Sequence, residues 1–156
     1  MTRIPLRVQR AVGGPKPFAY VVVYAPQYKI RGKRIRLFLD TGANDSTICE
    51  TDAKLLGIVH KKLGKPRTFK GVTGCTIDGY PLQNVTLRFR DEENNVISID
   101  IPEIYALKCT QKSKTAIEAS KSIPSILGVQ FLLDEKFKFF YDPSNRIAYI
   151  ERDDET

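Results

Sequence analysis

A single histidine, three cysteines and no apolar stretch near the roughly 20 residues of a membrane span narrow the chemistry open to this 156-residue chain. Ser-His-Asp catalysis is left only to His60. That residue sits in Val59-His60-Lys61-Lys62, with no orienting Asp and no Gly-x-Ser-x-Gly elbow nearby, and reads as a solvated loop residue. Cys49, Cys75 and Cys109 are odd in number, widely spaced and without a Cys-x-x-Cys pair. That spacing argues against a zinc site or a disulfide framework and for reduced thiols. Acidic residues are missing from the whole stretch before Asp40, where nine Lys or Arg stand. Met1-Thr2-Arg3-Ile4-Pro5 lacks the apolar block of a secretory signal, so a cytoplasmic location with no membrane partner is expected. A chain released from a longer precursor would look the same.

What is present fits one soluble globular domain: 42% hydrophobic and 28% charged residues in 17.7 kDa. The net charge of +7 is unevenly laid out. Lys61, Lys62, Lys65, Arg67 and Lys70 form a second basic patch, and Glu151, Asp153, Asp154 and Glu155 make an acidic tail. Such a field attracts nucleic acid or acidic partners. With no aromatic-interleaved platform and no groove-reading helix visible, it reads as a solvated basic face, and nucleic acid is the disfavoured partner.

Leu37-Phe38-Leu39-Asp40-Thr41-Gly42-Ala43 carries the most information. An apolar, strand-like run ends in a carboxylate, which a rigid sheet would hold while the following turn exposes it. The Thr41 hydroxyl suits hydrogen bonding to backbone, and Gly42 permits close approach of main chain to main chain.

Met1 to Pro17, basic and holding Gly13-Gly14-Pro15, reads as an arm or flexible leader. Phe18 to Tyr24 and Ile35 to Leu39 read as strands. Ser46 to Cys49 is extended, and Thr51 to Gly57 has the marks of a short helix capped by Thr51 and ended by Gly57. Thr68 to Ile77 reads as a hairpin with two glycines at its tip. Leu82 to Phe89, with Leu82, Asn84, Thr86 and Arg88 alternating, pairs with Val96 to Ile101. Lys108 to Ser122 reads as a short helix or a loop. Ile126-Leu127-Gly128 ends a strand, Val129 to Asp134 makes a helical turn, and Lys138 to Tyr141 pairs with Arg146 to Ile150. The chain is mostly β, with one or two short helices and no internal repeat.

From about Phe18 to about Glu151 these segments resemble the retroviral-type aspartic proteases, the retropepsins. Three blocks carry the likeness in order: Leu37 to Ala43, Gly71-Val72-Thr73-Gly74, and Ile126-Leu127-Gly128 followed by Val129-Gln130-Phe131-Leu132. The resemblance implies an all-β, closed barrel-like subunit over residues 18–151, a basic arm over 1–17 and an acidic tail over 152–156. It implies that Asp40, Thr41 and Gly42 form the catalytic loop and that Gly71 to Gly74 tip a flap over substrate. Ile126, Leu127 and Gly128 would brace the catalytic loop. Ala43, Val72, Ile48 and Ile126 would wall the substrate pockets. Asn44 stands where many viral members carry an acid, and Val129 and Gln130 replace their Arg-Asn or Arg-Asp. A neutral Asn44 to Gln130 hydrogen bond is the expected substitute. Ile126 to Leu132 looks closer to retrotransposon-like, bacterial and archaeal members than to lentiviral ones.

Peptide hydrolysis by this route needs two carboxylates sharing a proton, and no metal or cofactor. One Asp-Thr-Gly is present. Asp78-Gly79 does not repeat it, and Asp45, Asp52 and Asp134 read as solvated or capping residues. The second carboxylate is therefore expected from Asp40 of another copy, in a homodimer with a polypeptide substrate laid extended across it. Two other readings stand beside the endopeptidase. One is a dimeric peptide-binding module of the same fold with weak cleavage; the other is a nucleic-acid-binding barrel driven by the basic arm.

Overall fold

Alternation of apolar and polar side chains puts most of this chain into strands. The computed structural model describes residues 1–70 and 76–154. In chain order these are β1 (Thr2–Ala11), β2 (Gly14–Ala25), β3 (Ile30–Asp40), β4 (Thr47–Ile48), α1 (Glu50–Leu55), β5 (Arg67–Lys70), β6 (Thr76–Arg90) and β7 (Val96–Cys109). Then follow α2 (Lys114–Lys121), β8 (Ile126–Gly128), α3 (Val129–Glu135), β9 (Lys138–Asp142) and β10 (Ile147–Arg152).

The strands run β5-β6-β7-β4-β8-β3-β2-β1-β10-β9, and an additional β6–β2 pairing closes the middle of the series into a ring. The closed, mostly β subunit implied by the resemblance is the observed one. Val21, Val23, Leu37, Leu39, Leu82, Leu87, Ile104 and Leu127 fill the ring, each almost wholly buried. The β3–β8 and β4–β7 pairs are parallel, which brings the end of β3 against the start of α3.

Residues 1–17 are not a flexible leader. Thr2–Leu6 pair with β10, and Arg7–Ala11 pair with the start of β2. Ile4 and Leu6 bury while Pro5 and Arg7 face solvent, a period of two that makes a half-buried strand despite the basic charge. Gly13 and Gly14, at φ of 89° and 116°, make the turn into β2.

Other local readings also shift. The phase of β6 changes at Asn84, which has φ of 54°, so Leu82 and then Val85, Leu87 and Phe89 face the core. Cys49, not Thr51, takes the position before α1, and it makes no side-chain cap. Gly57 follows that helix at φ of 74°, as expected. The ambiguous stretch after Lys108 holds α2, capped by the Ser113 hydroxyl accepting from the Ala116 N–H. His60 is half-buried rather than freely solvated: its Nε2 lies 3.1 Å from the Leu107 carbonyl oxygen and its ring packs edge-on to Tyr80.

Candidate active site

The Asp40 carboxylate stands half-buried at the last position of β3, where core residues Leu37 and Leu39 anchor the strand beneath it. Its Oδ1 accepts a hydrogen bond from the Gly42 N–H at 2.9 Å, and its carbonyl accepts from the Ala43 N–H at 3.1 Å. Those two bonds fold residues 40–43 into a tight turn whose tip, Thr41 and Gly42, is exposed. One carboxylate oxygen is thus fixed by backbone, and the other has no hydrogen-bond partner among the described residues.

The loop is held from below by β8 and α3. Asp40 pairs with Gly128 across the parallel β3–β8 contact, and Phe38 and Leu39 pair with Ile126 and Leu127. The Gly128 N–H donates to the Ser46 hydroxyl at 3.0 Å. The Val129 and Gln130 N–H groups donate to the carbonyls of Ala43 and Asn44 at 2.8 and 3.1 Å. A Cβ on Gly128 would lie 2.6 Å from the carbonyl oxygens of both Asn44 and Asp45. Only glycine lets the two segments come this close. Leu127 is fully buried and Ile126 half-buried.

The expected side-chain bond between Asn44 and Gln130 is not formed. Gln130 bonds to Asn44 through its backbone, while its Nε2 donates to Asp134 at 2.7 Å, one helical turn along α3. That partner lies on the same helix and costs no long-range closure. Ile48 is fully buried in the core, so it lines no open pocket of this subunit. Gly71, Val72, Thr73 and Gly74, together with Cys75, lie outside the described residues. Lys70 and Thr76 on either side of them are paired, so β5 and β6 form the arms of the expected hairpin.

Several residues around the loop had no sequence signal. Ser125 accepts from the Cys49 N–H at 2.9 Å and donates to Asp52 at 2.6 Å, and its carbonyl accepts from the Phe38 N–H at 2.8 Å. One residue thereby ties α1 to β3 just upstream of Asp40. Burial pushes the Cys49 thiol above its ordinary pKa, against a smaller opposing effect of Ser125, so it stays a thiol at neutral pH. Asp45 pairs with Arg67 of β5 at 3.2 Å, and the Arg67 guanidinium packs 4.9 Å from the Phe69 ring centroid. The loop that follows Asp40 is thus joined to β5 at the base of the hairpin. Because 73 residues separate Asp52 from Ser125, sequence periodicity could not link them.

A model of the aspartyl protease family matches residues 27–131, a span containing the Asp40 turn, both hairpin arms and Ile126-Leu127-Gly128. A solved retropepsin-like aspartic protease from Rickettsia conorii is similar in fold, with a TM-score of 0.53 and 21% sequence identity. That similarity covers 95% of this chain and 89% of that one. No curated protein matches the sequence.

Proposed function

This chain belongs to the aspartyl protease family, and we propose that it is an endopeptidase whose active site forms only between two copies. The observation that carries this reading is the lone Asp-Thr-Gly turn, with Asp40 at a strand end and its backbone braced by β8 and α3. A water-activating dyad needs a second carboxylate, and Asp40 of a second copy across a two-fold axis supplies it. Like charges this close cannot both ionise, so the pair shares one proton. The ionised member takes a proton from water, and the resulting hydroxide attacks the peptide carbonyl carbon. The protonated member gives its proton to the carbonyl oxygen. As the resulting gem-diol collapses and the C–N bond breaks, the member holding the water-derived proton gives it to the leaving amine nitrogen and the other member takes a gem-diol proton, which returns the dyad to its starting state.

Thr41 and Gly42 complete the catalytic loop, and Leu127 and Gly128 support it. Substrate lies extended along Ala43 and Ile126, under a flap tipped by Gly71, Val72, Thr73 and Gly74. The β9–β10 hairpin is the dimer-forming element we favour. β9 is the outermost strand on its side of the sheet, and Phe140 on it is exposed. Digestion of a peptide library between acidic and neutral pH, with Asp40→Asn alongside, tests the reading. Cleavage by the wild type, its loss in the variant and inhibition by a statine-like mimic are expected. Equal cleavage by the variant removes Asp40 from the mechanism. Peptide binding without cleavage points instead to a binding module.

A further inference from the structure

Arginines from three strands meet on the outer face of the barrel, in a groove that the proposed dyad does not use. Arg7 of β1, Arg34 of β3, and Arg88 and Arg90 of β6 line this groove of about 790 Å³ together with Tyr20 and Ser98. Arg34 and Arg88 stand opposite Val22 from its two sides, so their backbones lie about 10 Å apart across the sheet. The guanidinium carbons of Arg7 and Arg34 lie 4.7 and 5.0 Å from the Tyr20 ring centroid. That of Arg88 lies 4.7 Å from Tyr24, and that of Arg36 lies 4.2 Å from Phe18. The arginine–aromatic interleaving that the linear sequence does not display is therefore assembled by the fold.

Among the described residues, ion pairs involve Arg3, Arg67, Arg152 and the N-terminus, and none involves Arg7, Arg34, Arg36, Arg88 or Arg90. Asp91, next to Arg90 in the chain, is occupied by the N–H groups of Glu93 and Asn95 at 3.0 and 2.7 Å. Four exposed like charges gathered in one concavity repel each other until an anion joins them. Arginine presents a planar fork that matches phosphate in two-point contact.

We propose that this groove binds the phosphate backbone of nucleic acid without regard to base sequence. A protein partner fits it less well. Of the apolar lining residues, Ile4, Phe18, Val21 and Phe89 are each at most 2% exposed, and those that reach solvent, Pro5, Val22 and Val96, are small and aliphatic, unlike the aromatic anchors that hold protein interfaces. On the groove side β2 is paired with β1 up to Phe18 and with β6 from Val22, which leaves only Ala19–Val21 without a partner, a run too short for a peptide to extend the sheet. The aromatic rings lie under the chain's own guanidiniums and are not offered to bases, so contact is with backbone alone.

The test is fluorescence anisotropy of a labelled oligo-dT of roughly 20 nucleotides, the length of a few binding sites. Four phosphate contacts predict a log–log salt slope near −3 and about a fifty-fold loss of affinity between 50 and 200 mM salt. Arg34→Glu with Arg88→Glu should weaken binding at least about tenfold and flatten that slope by about half. Arg34→Gln with Arg88→Gln also loses two of the four contacts and should flatten the slope by about half while weakening binding less than the Glu pair, with circular dichroism confirming that both proteins are folded. Lys61→Glu with Lys62→Glu reverses equal charge outside the groove and should leave affinity within about threefold. An equal loss in the Lys61/Lys62 protein, or displacement of the oligonucleotide by a Glu-rich peptide as readily as by unlabelled oligo-dT, overturns the proposal. Asp40→Asn should bind as the wild type does, so the outcome here is separate from that of the protease reading.

Discussion

Gly128 sits so close to Asn44 that a Cβ there would come 2.6 Å from the Asn44 carbonyl oxygen. The contact is backbone against Cβ, which no side-chain rotation relieves. Gly128→Ala must therefore push the Asp40 loop away from α3, costing about 1–3 kcal/mol in overpacking. A loop displaced by even a fraction of an ångström also misplaces the carboxylate. We expect a lower urea midpoint and a kcat reduced about tenfold or more, with KM less affected.

Ser125→Ala should remove a different support. The Cys49 N–H loses its acceptor and Asp52 its donor, and Ser125 is only 1% exposed, so water does not readily replace it. A loss of about 1–3 kcal/mol is expected in denaturant unfolding. A change of a few tenths would mean that the network adds little to the braces supplied by β8 and α3.

The Thr47 hydroxyl has the opposite character. It is buried in β4 with no hydrogen-bond partner among the described residues. Thr47→Val keeps the shape and removes the orphaned group, so stability should rise by about 1 kcal/mol. Calorimetry should register this as a Tm increase of about 2–4 °C for a domain of this size.

The turn between β9 and β10 should supply an acid-labile increment of stability. The Asn145 side chain, then the Ser144 hydroxyl and the Asn145 N–H, hold the Asp142 carboxyl below the ordinary Asp range. A folded pKa below the unfolded one gives stability that is present above the unfolded value, about 4, and lost as pH falls through the depressed pKa. In urea titrations at several pH values, Asp142→Asn should lower stability at neutral pH and converge with the wild type under acid.

Most of the architecture was readable because its determinants are local. Val21 and Val23 alternate with Tyr20 and Tyr24, and Ile35, Leu37 and Leu39 with Arg34 and Arg36, so β2 and β3 carry their own period. Asp142-Pro143-Ser144-Asn145 is turn chemistry and makes a turn. The misreadings concern residues whose partners are remote or whose local competitor wins. Ile4 and Leu6 alternate like a strand, but their partner β10 lies about 140 residues away, and the glycines and prolines nearby spoke louder. Gln130 had Asp134 on its own helix, which the Asn44 pairing overlooked. In the site, the Asp40 turn and the Gly128 block were legible as motifs. Ser125, Ser46 and Arg67 were not, since each acts through a fold contact that no spacing encodes. The basic groove likewise needs β1, β3 and β6 assembled around β2 before its arginines share a surface.

Co-refolding wild type with Asp40→Asn tests the shared active site most directly. Subunits pairing at random place most wild-type chains opposite a variant that lacks the second carboxylate. A roughly ninefold excess of variant should therefore reduce the activity of a fixed amount of wild type to about one tenth. Activity that stays constant as variant is added would mean that each chain cleaves by itself, contradicting the shared dyad.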